Sequence, residues 1–197
     1  KEIRYQSKTY ARLETLMNRV NETSIVEAHR KQIQNKAVGV DGVTKAKYEE
    51  KLSENVADLI ERMKKFSYRP QPVRRAYIPK ANGKKRPLGI PAYEDRLVQS
   101  VMAEILNDIY EERFLDCSYG FRPGRNAHQV VRFINQTVMT KKVNYVLDAD
   151  IKGFFDNVNH EWMMKFLEHD IAEKEIIEEW LSKKRGAKVH FKIPVRG

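Results

Sequence analysis

The chain has 197 residues, 41% of them hydrophobic, enough to bury a core, and carries a formal charge of +10 with a pI near 9.6. That balance describes a folded, strongly basic protein whose expected partner is a polyanion. The absence from the sequence of any 18-residue apolar run or signal-peptide pattern argues against a membrane span or secretion and for the cytoplasm, while one cysteine (Cys117) and unpaired histidines argue against a disulfide or zinc site.

The chain opens on Lys1 rather than Met and is expected to be a piece of a longer protein. Tyr10, Leu13, Leu16, Met17 and Val20 recur at helical spacing, so residues 10–20 are predicted as an amphipathic helix. A second helix is expected over 24–36, capped by Ser24, with Ile25, His29 and Ile33 on one side. His29 reads there as a packed or half-exposed residue rather than a ligand. Residues 39–43 form a turn, and Thr44 can cap a helix whose stripe is Tyr48, Leu52, Val56, Leu59, Ile60 and Met63.

Residues 62–86 hold ten basic side chains and no acidic one: Arg62, Lys64, Lys65, Arg69, Arg74, Arg75, Lys80, Lys84, Lys85 and Arg86. The remaining chain has 37 − 10 = 27 basic residues against 27 acidic, so this segment carries the whole excess. Two short strands flank Ala81-Asn82-Gly83, the signal for a hairpin, and Pro79, Pro87 and Pro91 place those strands at an edge. A lysine-studded edge that resists aggregation is one use for such a hairpin. Segregation of the surplus charge, with Tyr68 and Tyr77 interleaved, favours a phosphate-binding surface.

Residues 92–114 give the longest helical pattern, with Leu97, Val101, Ile105, Leu106, Ile109 and Tyr110 as the stripe and charges, Glu94 and Asp95 among them, that read as solvated. Residues 114–125 (FLDCSYGFRPGR) are a loop with two arginines, Arg122 and Arg125, and Asn126 can cap a helix over 127–138. Next, 144–160 reads NYVLDADIKGFFDNVNH. Its residues 145–150 have strand length and composition, and alternation puts Val146, Asp148 and Asp150 on one face. Carboxylates at the exit of a buried strand are costly unless paired or holding a cation, and one or two of them suit Mg²⁺. The plainer alternative has Asp148 capping the turn and Asp156 capping the helix that starts near His160. Helices over 161–168 and 173–184 and a returning strand over 188–195 complete an α+β layout.

Four segments in order, GVDGVT (39–44), YIPKANGKKRPLGIP (77–91), YGFRPGRNAHQVV (119–131) and DADIKGFFDNVNH (148–160), make the chain resemble the bacterial group II intron-type reverse transcriptases, the intron-encoded maturases. The resemblance implies a right-hand polymerase fold. It divides the chain into an N-terminal helical extension (1–44), fingers with the basic hairpin (45–140) and the start of the palm (141–197). Asp150 matches the first catalytic aspartate, which with the backbone carbonyl of Ile151 holds two Mg²⁺ ions. Lys80 and Arg86 match the residues that grip the incoming triphosphate, and Phe155 the bulky residue that disfavours a 2′-hydroxyl. Asp148 is read as structural.

The implied partners are template RNA, intron RNA whose splicing is assisted, a DNA primer and deoxynucleotides. The nucleic-acid surface is expected at Arg62, Lys64, Lys65, Arg69, Arg74, Arg75, Lys84, Lys85, Arg122 and Arg125. The family also needs an adjacent pair of aspartates on a later palm hairpin, and no Asp-Asp pair occurs in these 197 residues. The chain alone is therefore expected to bind RNA without polymerising, and an unpaired palm strand gives it a route to a homodimer. Two other readings stay open: an RNA-binding maturase module with no polymerase role, and a retron, diversity-generating or CRISPR-associated reverse transcriptase.

Overall fold

The computed structural model describes residue 7, residues 13–14, 16–79, 83 and 85–173, apart from the side chains of Phe155 and Asp156. The helix expected over 10–20 is not formed as one piece. Leu13 instead pairs with Ile171 in a parallel bridge, and a 3₁₀ turn, Leu16–Arg19, follows. The Glu173 carboxylate accepts the N–H groups of Leu16 and Met17, which fixes where that turn begins. The apolar spacing still does its work, since Leu13, Leu16 and Val20 are buried.

Helix α1 (Glu22–Lys31) begins earlier than Ser24. Asn21 is the cap: its Oδ1 accepts the Ser24 N–H at 3.0 Å, and Ser24 Oγ accepts the Asn21 N–H at 3.0 Å, a reciprocal capping box. Ile25, Ala28 and His29 are buried, but Gln32 turns extended and leaves Ile33 outside the stripe. Thr44 caps as expected, yet the following stripe is split between α2 (Lys45–Glu49) and α3 (Leu52–Lys64). Lys51 leaves helical geometry, and Asn55 Nδ2 donates to the Tyr48 carbonyl across the break.

Strands β1 (Arg74–Pro79) and β2 (Lys85–Ile90) form the expected antiparallel hairpin, with Gly83 at a φ of 74° in its turn. Helix α4 (Tyr93–Tyr110) is the axis of the core. At 1.5 Å per residue its 18 residues span about 27 Å. Leu97, Val101, Ile105 and Ile109 run along one stripe, with Val98 and Met102 beside it, and all are buried against α1, α3 and Ile171.

Beyond the loop at 111–126 burial falls away. Helix α5 (Ala127–Thr140) has its Asn126 cap, reinforced by Gln129, but no buried residue. The strand expected over 145–150 has no regular structure and no sheet partner among the described residues: Tyr145 is 93% and Leu147 90% exposed, and Asp148 and Asp150 are exposed too. A strand needs a neighbour to take its backbone hydrogen bonds and cover a face, and the hairpin is the only sheet among the described residues. Asp156 lies in a short helix, α6 (Phe154–Asn157), and Asn159 rather than Asp156 caps α7 (His160–Asp170), accepting the Trp162 N–H. The elements expected over 173–184 and 188–195 lie outside the described residues, Glu173 excepted. None of the described helices is long and apolar enough to cross a membrane.

Candidate nucleic-acid interface and acidic segment

Register decides which hairpin cations share a face. Arg75 faces Gly89, Tyr77 faces Pro87 and Pro79 faces Lys85, so Arg75, Tyr77 and Lys85 stand on one side. The other side carries Arg74, Ala76 and Ile78 opposite Ile90, Leu88 and Arg86. On that side Ile90 is buried at the base beside Arg74, and the far end carries the exposed Arg86. Lys80 and Lys84, between the strands, lie outside the described residues.

The base of the hairpin is braced by the loop at 37–43. Arg74 Nε donates to the Val38 carbonyl at 2.8 Å, and Arg96 reaches the Ala37 and Pro91 carbonyls. Asp41 Oδ2 accepts the Tyr93 N–H at 2.7 Å and so caps α4, whose own N-cap residue, Ala92, has no side chain to do it. Gly39 is required by close approach: a Cβ there would sit 2.5 Å from the Pro91 oxygen and 2.6 Å from Ala92 Cα. The GVDGVT segment thus seats both the hairpin and the helix behind it.

A second brace corrects two readings. Tyr68, expected as an exposed ring among the cations, is 3% exposed and donates its hydroxyl to Asp95 Oδ1. Asp95, expected on a solvated face, is 4% exposed and accepts the Gln71 N–H on its other oxygen at 2.9 Å. Burial raises the Asp95 pKa, and the two hydrogen bonds oppose that shift. Nearby, His29 Nδ1 pairs with the Tyr93 hydroxyl at 2.9 Å inside a cluster with Tyr48. Burial depresses the His29 pKa and pushes the Tyr93 phenol up to about 12.

The basic residues divide by what they touch. Arg62 bridges Asp58 and Glu94, Lys65 pairs with Glu61, and Arg69 donates to the carbonyls of Phe66 and Tyr68. Arg122 is 8% exposed: it forks onto Glu111, donates to the Leu115 and Ser118 carbonyls and lies over the Phe114 ring. Arg125 holds Asp116 and stacks on Tyr119. These two arginines stitch the 114–125 loop. Lys64, Arg75, Lys85 and Arg86 are exposed and make no side-chain hydrogen bond or ion pair with described residues.

Asp150 and the Ile151 carbonyl sit on the exposed segment ahead of Gly153, whose φ of 64° turns the chain into α6. Phe155 lies in α6 with its side chain outside the described residues. An exposed carboxylate and a backbone carbonyl are hard oxygen donors of the kind Mg²⁺ takes. They form no cluster of three or more potential metal-ligating side chains among the described residues. The holding residues Asp41 and Glu111 were not singled out by sequence, and Asp95 was read only as a solvated charge. Of these only Asp41, between two glycines of a turn motif, carried a local signal.

Comparison with known proteins defines the class. A family model described as "Reverse transcriptase (RNA-dependent DNA polymerase)" matches residues 78–196, most of the hairpin and the whole acidic segment, and the chain belongs to that family. It is 38% identical over 138 residues to Protein YkfC of Escherichia coli (strain K12), covering 68% of this chain and 36% of that protein. It is 39% identical over 134 residues to the group II intron-encoded protein LtrA of Lactococcus lactis subsp. cremoris, covering 68% and 22%. Nuclear intron maturase 1, mitochondrial, of Arabidopsis thaliana is 32% identical over 89 residues, covering 44% and 12%. The chain therefore spans about a third or less of the length of these relatives.

Proposed function

We propose that this chain supplies the fingers hairpin and the first catalytic carboxylate of an RNA-directed DNA polymerase of group II intron type, one that also binds its intron RNA and assists splicing. The observation that carries this reading is a hairpin that gathers Arg75, Lys85 and Arg86, without side-chain partners among the described residues, ahead of an acidic segment, with Lys85, Arg86 and that segment inside one family match. Arg86, with Lys80, grips the triphosphate of the incoming deoxynucleotide, Lys as a point charge and Arg as a fork. Phe155 occupies the space of a ribonucleotide 2′-hydroxyl. Asp150 and the Ile151 carbonyl would hold Mg²⁺, which when bound would supply charge stabilisation for nucleotidyl transfer to the primer 3′-hydroxyl. Lys64, Arg75 and Lys85 meet RNA phosphates, while Arg62, Arg122 and Arg125 serve that surface by fixing its scaffold.

In the full-length protein, Asp150→Asn is expected to remove DNA synthesis, a loss of at least about a thousandfold, with RNA affinity nearly unchanged. Primer extension and filter binding on the same preparations check this. Retained synthesis would place the catalytic carboxylate elsewhere, while no synthesis by the unsubstituted protein would move the reading to a second one, an RNA-binding maturase. The maturase names of two relatives favour that alternative.

A further inference from the structure

The end of α7 is fastened to the far end of α4 by a set of contacts that the roles above do not use. Asp170, the last residue of α7, forms an ion pair through Oδ1 with Arg113 Nη1, three residues past the end of α4. Tyr110, the last residue of α4, also faces the Asp170 carboxylate, and His169 Nδ1 lies 2.9 Å from it. Arg113 Nε donates to Ser7 Oγ at 3.1 Å, and Ser7 Oγ donates to the Ile109 carbonyl at 2.7 Å. Leu13 joins the same region. The Leu13 N–H donates to the Asp170 carbonyl and the Ala172 N–H to the Leu13 carbonyl, both at 2.8 Å, and Ile171 is buried in the core.

The pair is shielded, with the Asp170 side chain 14% and Arg113 26% exposed. Burial opposes the Asp170 charge, but its hydrogen-bond partners outweigh that and lower its pKa, so it is ionised at neutral pH. A shielded, multiply bonded ion pair holds geometry far better than a surface one. Its place is informative. Helix α4 starts at the foot of the basic hairpin, and α7 follows the acidic segment directly, while that segment itself is exposed and without a sheet partner among the described residues.

We propose that Asp170 and Arg113 are positioning residues that set the acidic segment relative to the basic hairpin, so that one deoxynucleotide triphosphate can meet both. The proposal rests on the polymerase reading above. If the clasp sets that spacing, loosening it weakens use of the nucleotide, because an error of about 1 Å in such an arrangement can cost up to about a hundredfold. If the clasp merely supports folding, loosening it lowers the fraction of active enzyme and leaves KM alone.

The test uses full-length protein carrying Arg113→Met, Asp170→Ala or Asp170→Asn, with dTTP on a poly(rA)/oligo(dT) template-primer. Arg113→Met keeps the apolar stem and deletes the charge, and Asp170→Asn keeps size and acceptor if the alanine variant folds poorly. The expected result is a KM for dTTP raised roughly tenfold by Arg113→Met and Asp170→Ala, and less by Asp170→Asn, with affinity for the template-primer unchanged. An unchanged KM in Arg113→Met and Asp170→Asn, with kcat following the folded fraction, overturns the proposal. The unsubstituted protein and Asp150→Asn run beside them separate the two failures, since no synthesis by the unsubstituted protein overturns the polymerase reading, and retained synthesis in Asp150→Asn overturns only the assignment of Asp150.

Discussion

Helices α4 and α5 are both amphipathic, and they end up in opposite surroundings. Helix α4 buries Tyr93, Asp95, Leu97, Val98, Val101, Met102, Ile105 and Ile109, whereas α5 buries nothing and leaves Val131, Phe133, Ile134, Val138 and Met139 exposed. An apolar stripe states that a helix has a partner, not where the partner is. For α4 it is at hand in α1, α3 and Ile171. For α5 and for Tyr145, Val146 and Leu147 it is not among the described residues. The packed half holds the hairpin by its base; the exposed half carries the carboxylate.

The largest effect that separates the halves is expected at the centre of the packed one. Leu97 is fully buried, so Leu97→Ala removes a core side chain and leaves a void, at a cost of about 2–5 kcal/mol. Urea denaturation of the 197-residue chain measures it. A loss under about 1 kcal/mol would mean that α4 is not the axis of the core.

A smaller loss is expected at the brace between that core and the hairpin. Gly39→Ala forces a Cβ against the Pro91 oxygen and the Ala92 backbone, which must move, and overpacking of this kind costs about 1–3 kcal/mol. Because the obstacle is backbone rather than a flexible side chain, the hairpin foot should shift as well. Amide exchange at Ile90 and Tyr93 should rise more than at Ile105; uniform exchange would show that the loop does not seat the hairpin.

These contrasts also mark how far the sequence could be read. The hairpin was legible because its turn chemistry and strand composition are local, and so were the Thr44 and Asn126 caps, where a side chain meets an N–H three residues on. The burial of Tyr68 was not, because its partner Asp95 lies 27 residues away and only the fold brings them together. The split between α2 and α3 escaped the stripe because the apolar residues keep their spacing across Lys51. For 145–150, composition favours a strand but cannot supply its neighbour. Among the site residues, the sequence separated a basic stretch from the rest but could not sort it. Arg75 and Arg122 look alike until Glu111 is seen to occupy Arg122.

The smallest effect is expected on the exposed half, and it tests what covers α5. Ile134 is about half exposed on a helix with no buried residue, so Ile134→Ala in the 197-residue chain leaves no cavity. Alanine is also the better helix former, by up to roughly 0.7 kcal/mol, which offsets what little apolar contact is lost. The net change in stability should stay within about 0.5 kcal/mol, against several for Leu97→Ala. The matched relatives are about three to four times as long as the aligned stretch or more, since it covers 36% and 22% of them. Made in the full-length protein, the same substitution therefore becomes a probe. If other segments bury the α5 face there, the cost rises to about 2 kcal/mol or more, because a covered isoleucine cut to alanine leaves a void. Equal small costs in both would mean that α5 stays bare, and that its apolar stripe serves a surface rather than a core.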